Sequence, residues 1–224
     1  MELLLKTLHK IGCALLLTAL GMSQAWSLEV VRSPYLQMGD TDSVTIRWQT
    51  DESSDGWIQY GTTLEEQTES SETAASSTNQ SITITGLLPG TRYYYSIHTS
   101  EGALIESNDE YYFETAPETG TQSPVRFAVL GDSGTSSWNP KVNVRNALIE
   151  WCLKQDHRLN LFLHLGNMSN NEGTEEGFQA NFFDVYSDIM RNTVTFPTMG
   201  EYEALSSNAN EETGPYFENF TLPT

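Results

Sequence analysis

Between residues 28 and 117 apolar side chains recur at every second position, in short runs broken by polar turns. Val44, Ile46 and Trp48 alternate with Thr45 and Arg47, and Ile58 and Tyr60 form the next inward pair, closed by Gly61. A period of two is that of a half-buried strand. Ile82 and Ile84 begin another strand, Tyr95 and Ile97 share one face of the next, and Tyr111, Phe113 and Thr115 supply the last. The stretch 64–79, rich in Ser, Thr and Glu, is expected as a mobile connection. Leu87-Leu88-Pro89-Gly90-Thr91-Arg92-Tyr93 places a Tyr at the head of a strand just after a Pro-Gly turn, the arrangement of the tyrosine corner in Ig-like sandwiches.

After a linker at 117–124 the pattern changes. Residues 125–134 read V-R-F-A-V-L-G-D-S-G, a β-branched and aromatic run that stops at Gly131 with Asp132 next. Such a strand delivers a carboxylate to its C-terminal tip, where open α/β sheets place their ligands. Asn139-Pro140 opens a helical pattern, and 159–165 is a second apolar run ending at Gly166. Strand, loop, helix and strand in that order make a βαβ unit with a parallel pair. By itself G-D-S-G is a weak signal, since short motifs recur by chance.

Charge narrows the partners. Eleven Lys and Arg against 30 Asp and Glu give a net charge of -19. A surface of that sign repels nucleic acid and anionic membranes, so neither is an expected partner. Residues 1–25 have the form of a secretory signal. Lys6, His9 and Lys10 precede an apolar core at 11–22, and Ser23-Gln24-Ala25 offers a small-x-small cleavage site. That core is too short for a membrane span, so a secreted or periplasmic protein without a span is expected. Cleavage would remove Cys13 and leave Cys152, which is expected as a buried structural thiol without a disulfide partner.

The first region resembles a fibronectin type III domain. A fibronectin-like domain followed by strand-Gly-Asp-x-Gly resembles the purple acid phosphatases, within the metallophosphoesterase superfamily. Phe162-Leu163-His164-Leu165-Gly166-Asn167 stands where that family carries Gly-Asp-x-x-Tyr, and Gly200-Glu201-Tyr202-Glu203 stands where it carries Gly-Asn-His-Glu. The resemblance implies a β plus α/β fold. A fibronectin III-like β-sandwich over 28–117 would be followed, over 124–224, by the first half of a metallophosphoesterase α/β sandwich. It also implies a dinuclear iron, zinc or manganese centre whose two cations share a bridging carboxylate and a hydroxide that attacks a phosphomonoester in line.

Carried over position by position, little of that centre is kept. Asp132 matches the first aspartate ligand. Asn167 stands at the bridging aspartate, and a neutral amide cannot replace an anion shared by two cations. Asn170 stands at the chromophoric tyrosine, Glu201 at the ligand asparagine and Tyr202 at the histidine, while Glu203 keeps its acidic type. The later histidine motifs would fall beyond Thr224, so the chain is expected as a C-terminally truncated form. His98, His157 and His164 are expected at the surface or in the core rather than as ligands. The candidate metal positions are therefore Asp132, Asn167 and Glu201, with Asp132 and Glu201 able to hold a hard cation only weakly. No catalytic residue and no tightly bound cofactor are expected, and a phosphomonoester is a partner only if the chain is active. The principal expectation is a secreted phosphatase homologue without catalysis. The alternative is a secreted binding or adhesive module that uses the fibronectin-like domain; a third is a fragment of an active phosphatase completed from outside the chain. An edge or sheet face near 194–199 is expected to stay uncovered, and 124–224 to be less stable than the sandwich. Asn79, Asn167 and Asn219 each head a glycosylation triplet.

Overall fold

The computed structural model describes residues 27–134, 138–156, 158–169 and 172–223. The expected signal segment, His157 and Asn170 lie outside them. The alternating runs become β1 Val30–Gln37, β2 Ser43–Gly61, β4 Ala74–Thr85 and β5 Arg92–Thr99, with the short strands β3 Glu69–Ser70, β6 Gly102–Ile105 and β7 Tyr112–Glu114. Strand β2 serves both sheets of the sandwich. Its first half lies between β1 and β4, with Ile46 opposite Leu36 on one side and Ile82 on the other. Its second half pairs with β5, placing Ile58 opposite Ile97. Near the crossover, Gly56 lies under the Trp48 ring, where a Cβ would sit 2.7 Å from Cζ2. Val44, Ile46, Trp48, Ile58, Ile82, Ile84, Tyr95, Ile97 and Phe113 close the core between the sheets, as their period requires.

The stretch 64–79 is not simply a connection. It holds β3 and the start of β4, because backbone pairing along an edge needs no apolar side chains. Ser71 N–H donates to the Ile58 carbonyl (2.9 Å), and the Ser71 hydroxyl accepts from Ile58 N–H (2.9 Å). At the other end of the sandwich the tyrosine corner is formed. The buried Tyr93 hydroxyl accepts the Leu88 N–H at 2.9 Å, and Thr115 Oγ1 donates to the Leu88 carbonyl at 2.6 Å. Tyr93→Phe is expected to cost about 1–3 kcal/mol, the penalty for stranding a donor at a buried site. Urea denaturation of the two forms reads this directly, and an unchanged midpoint would refute it.

Beyond the linker, β8 Phe127–Leu130, β9 Leu161–His164 and β10 Val194–Pro197 run parallel in the order β8-β9-β10, with α1 Trp138–Lys154 between β8 and β9. A helical run of α2 Glu175–Phe178, a π-helical turn Gln179–Phe183 and α3 Asp184–Met190 precedes β10. These strands do not form a separate sheet. β10 pairs in parallel with β1, Val194 opposite Leu36, so one sheet runs through β4-β2-β1-β10-β9-β8. The cores meet across β1: Val194 packs in the sandwich core, and Tyr35 packs with Phe162, Phe178, Phe182, Phe183 and Phe220 under the helices.

The polar face of β1 and β2 is also covered. Arg32 is 1% exposed, stacks 3.7 Å over the Phe183 ring, and donates to Gln179, Asn219 and Glu175. Arg47 reaches the Glu218 carbonyl and the Thr221 hydroxyl, and Gln37 accepts the Thr221 N–H. The segment around α5 Pro215–Asn219 thus lies across the sandwich strands. Phe127 and Val129 on β8 and Leu165 after β9 remain 57%, 43% and 62% exposed. The strand near 194–199, expected from the sequence to leave an edge or face uncovered, is instead paired on both sides, with β1 and β9, and its Val194 and Thr195 are buried.

Candidate functional site

Three loops leave the C-terminal ends of β8, β9 and β10 and meet. Backbone hydrogen bonds lace them in sequence: Leu165 N–H to Leu130, Asp132 N–H to Gly166 (3.0 Å), Gly134 N–H to Asn167 (2.7 Å) and Thr198 N–H to His164 (2.7 Å). The approach is close enough to demand glycine. A Cβ on Gly134 would lie 1.4 Å from the Ser169 carbonyl oxygen, and one on Gly166 would lie 2.6 Å from Gly200 Cα. Asp132 and Asn167 both adopt left-handed backbone, at φ 57° and 55°. Asn and Asp tolerate that region better than other non-glycine residues, and here it turns both side chains toward one point.

There Asn167 Nδ2 donates to Asp132 Oδ1 at 3.4 Å, while Asn167 Oδ1 accepts the Tyr202 N–H at 3.3 Å. Because Tyr202 contributes a backbone donor, the amide oxygen must face it and the amide NH2 must face the carboxylate. Glu201 is not part of this junction; it is exposed on the turn ahead of α4 Glu203–Ser206. Of the three candidate positions the structure brings together Asp132 and Asn167 and leaves Glu201 apart.

The acid that the loops are built around is Glu203, which is fully buried. Its Oε1 accepts from Met168 N–H (2.9 Å) and Ser169 N–H (3.0 Å), and its Oε2 from Asn167 N–H (2.7 Å) and Gly200 N–H (2.8 Å). Sequence reasoning noted only that this position stays acidic. The usable signal was its spacing: a Glu three residues after Gly200 can reach back to that N–H at a helix start, as in a capping box.

Beneath the junction His164 is buried among Phe162, Phe182 and Tyr186, with Nε2 3.1 Å from the Ser133 hydroxyl. Burial pushes its imidazole down to about 4, so it is neutral at pH 7. It is a core histidine, as expected. His98, also expected as surface or core, lies on β5 stacked against Trp57, with Nε2 3.0 Å from the Ser96 hydroxyl. Cys152 is half-buried, and burial raises its thiol. Of the glycosylation triplets, Asn79 is exposed, Asn167 is tied into the junction, and Asn219 is buried against Arg32 and Glu175.

The described side chains do not suit a dinuclear metal centre. A bridging ligand must present lone pairs of an anion to two cations, and Asn167 presents an N–H to Asp132 instead. Glu203 has both oxygens occupied by backbone donors. Among the described residues no group of three or more His, Cys, Asp or Glu side chains is placed to hold a metal ion.

Comparison with known proteins agrees with the fold. Residues 31–115 match the family described as purple acid phosphatase, N-terminal domain. No curated protein sequence matches the chain. Among solved structures the chain is similar to PhoD, with a TM-score of 0.55 at 14% identity over 87% of this chain. The match takes in 47% of PhoD, so the chain spans about half of that protein's length. The fibronectin type-III domain of human fibronectin type III domain containing protein 3 matches 43% of this chain and 92% of its own length, with 17% identity and a TM-score of 0.30. The sensor domain of the anti-sigma factor RsgI4 from Pseudobacteroides cellulosolvens matches 44% and 97%, with 12% identity and a TM-score of 0.32. Residues 31–115 are thus similar to the purple acid phosphatase N-terminal domain, and the chain shares the fold of part of PhoD.

Proposed function

We propose that this chain is an exported homologue of the metallophosphoesterases in which the phosphatase centre has become a structural junction, and that it does not hydrolyse phosphomonoesters. The observation that carries this reading is the orientation of Asn167. At the position where the resemblance calls for a carboxylate shared by two cations, an amide N–H points at the one retained ligand, Asp132. Two-metal hydrolysis needs anionic ligands that hold both cations and a bound hydroxide between them. A neutral amide that donates a proton toward Asp132 works against both. Loss of a supporting partner beside a metal already costs roughly 10–100-fold in affinity or activity, and loss of the bridging ligand costs more. The export half of the reading rests on the form of residues 1–25 and is checked by sequencing the N-terminus of the secreted product, which should begin after Ala25.

The activity prediction is tested on the purified chain loaded with iron, zinc or manganese. p-Nitrophenyl phosphate hydrolysis is expected at background, with no violet absorption. Two metals bound per molecule together with turnover would overturn the proposal.

A further inference from the structure

We infer that the Asn167 side chain does the loop-holding that a cation between these carboxylate-bearing loops would otherwise do, which makes the junction self-sufficient without metal. This rests on the reading of the site as a non-catalytic junction, and it adds a specific device. Three loops converge on one point with two residues in left-handed backbone, a geometry that presents two side chains to a shared partner. In place of that partner stands a single amide. Its Nδ2–H supplies positive charge density to Asp132 Oδ1, and its Oδ1 accepts the Tyr202 N–H, so one side chain ties the β8 loop to the β10 loop from its seat in the β9 loop.

Glu203 does the complementary work from the buried side. It gathers four backbone donors, all of them from the β9 and β10 loops. Among the side-chain hydrogen bonds of the described residues, the link from Asp132 to the other two loops therefore runs through Asn167. The residue type matters twice. Asn is tolerated at φ 55°, and it carries a donor and an acceptor on one planar group. Aspartate would be tolerated by the backbone equally well but would set a second negative charge beside Asp132. That arrangement is unfavourable until a cation enters between the two carboxylates.

The test is a set of thermal melts on the full chain in EDTA and in millimolar Mn2+, for the unmodified protein, Asn167→Asp and Asn167→Ala. The unmodified chain should melt at the same temperature in both buffers. Asn167→Asp should melt about 5–10 °C lower in EDTA and recover most of that loss in Mn2+, since a ligand bound to the native state raises its apparent stability. Asn167→Ala should melt lower in both buffers, with no response to the cation. An Asn167→Asp chain that folds only with Mn2+, read by circular dichroism, supports the inference equally. One that is unfolded in both buffers, or indifferent to Mn2+, overturns it. So does an unmodified chain whose melting depends on Mn2+, or an Asn167→Ala chain as stable as the parent. Phosphatase turnover by the unmodified chain would sink the proposed function, whereas these melts report on Asn167 whether or not turnover exists.

Discussion

Glu203→Ala should abolish the ordered junction and destabilise the chain by about 4 kcal/mol or more, a large part of the roughly 5–15 kcal/mol that holds a typical domain. The reason is the number of donors that would be stranded. Four backbone N–H groups, from Asn167, Met168, Ser169 and Gly200, point at the two oxygens of one buried carboxylate. Hydrogen bonds to a charged acceptor contribute about 1.5–3 kcal/mol each, and a buried donor left without a partner costs a similar amount. The loops cannot easily open to let water replace the carboxylate, because Gly166 and Gly200 are already in backbone contact. Glu203→Gln should be nearly as harmful: its oxygen can serve one pair of donors, but its NH2 must then face the other pair. Chemical denaturation of the three proteins, with amide exchange read at residues 165–169, measures the effect. If Glu203→Gln keeps the parent's stability and protection, the carboxylate is not the hub described here.

Acid should weaken the fold through His164. Its folded-state value of about 4 lies below the ordinary 6.5, because burial among aromatic rings penalises the charged form. Between those two values the unfolded chain binds a proton that the native chain refuses, so native stability falls as pH falls from about 6.5 to 4 and levels off below. The 2.5-unit gap corresponds to roughly 3 kcal/mol at the acid end of the window. One nitrogen is held by the Ser133 hydroxyl, and the other, Nδ1, faces the interior without a hydrogen-bond partner, so nothing nearby offsets a positive charge. His164→Gln removes this titration. Its stability should therefore decline less than that of the parent between pH 6.5 and 4, whatever constant difference separates the two at neutral pH. Parallel pH profiles for the two proteins would refute the assignment.

Much of the molecule was legible in the chain because its causes are local. The alternation of Val44, Ile46 and Trp48 reflects which side of a pleat each side chain occupies, and that holds wherever the strand is placed. Pro89-Gly90 ahead of Tyr93 defines its own turn, and the hydroxyl reaches back only five residues, to Leu88. The β-branched run that ends at Gly131-Asp132 sets a carboxylate on a strand tip by its order alone. Residues 64–79 mark the limit of this reading. Their pairing depends on backbone groups of strands elsewhere, and Ser, Thr and Glu side chains leave no pattern that announces it.

By itself, then, the sequence determined the strands, the tyrosine corner, the βαβ unit and the chemical types of Asp132, Asn167 and Glu201. Only the tertiary structure decided what those types do. The pairing of Leu36 with Val194 merges sandwich and parallel strands into one sheet, a main-chain contact between segments far apart in the chain. Arg32 is legible as a charge on a strand, yet its burial under Gln179, Asn219 and Glu175 requires three distant elements to arrive together. The direction of the Asn167 amide is fixed by the Tyr202 N–H, and the use of Glu203 as an acceptor rather than a ligand by four donors on two loops. Side-chain chemistry is written residue by residue, whereas the partner that each group meets is set by how the separate loops close on one another.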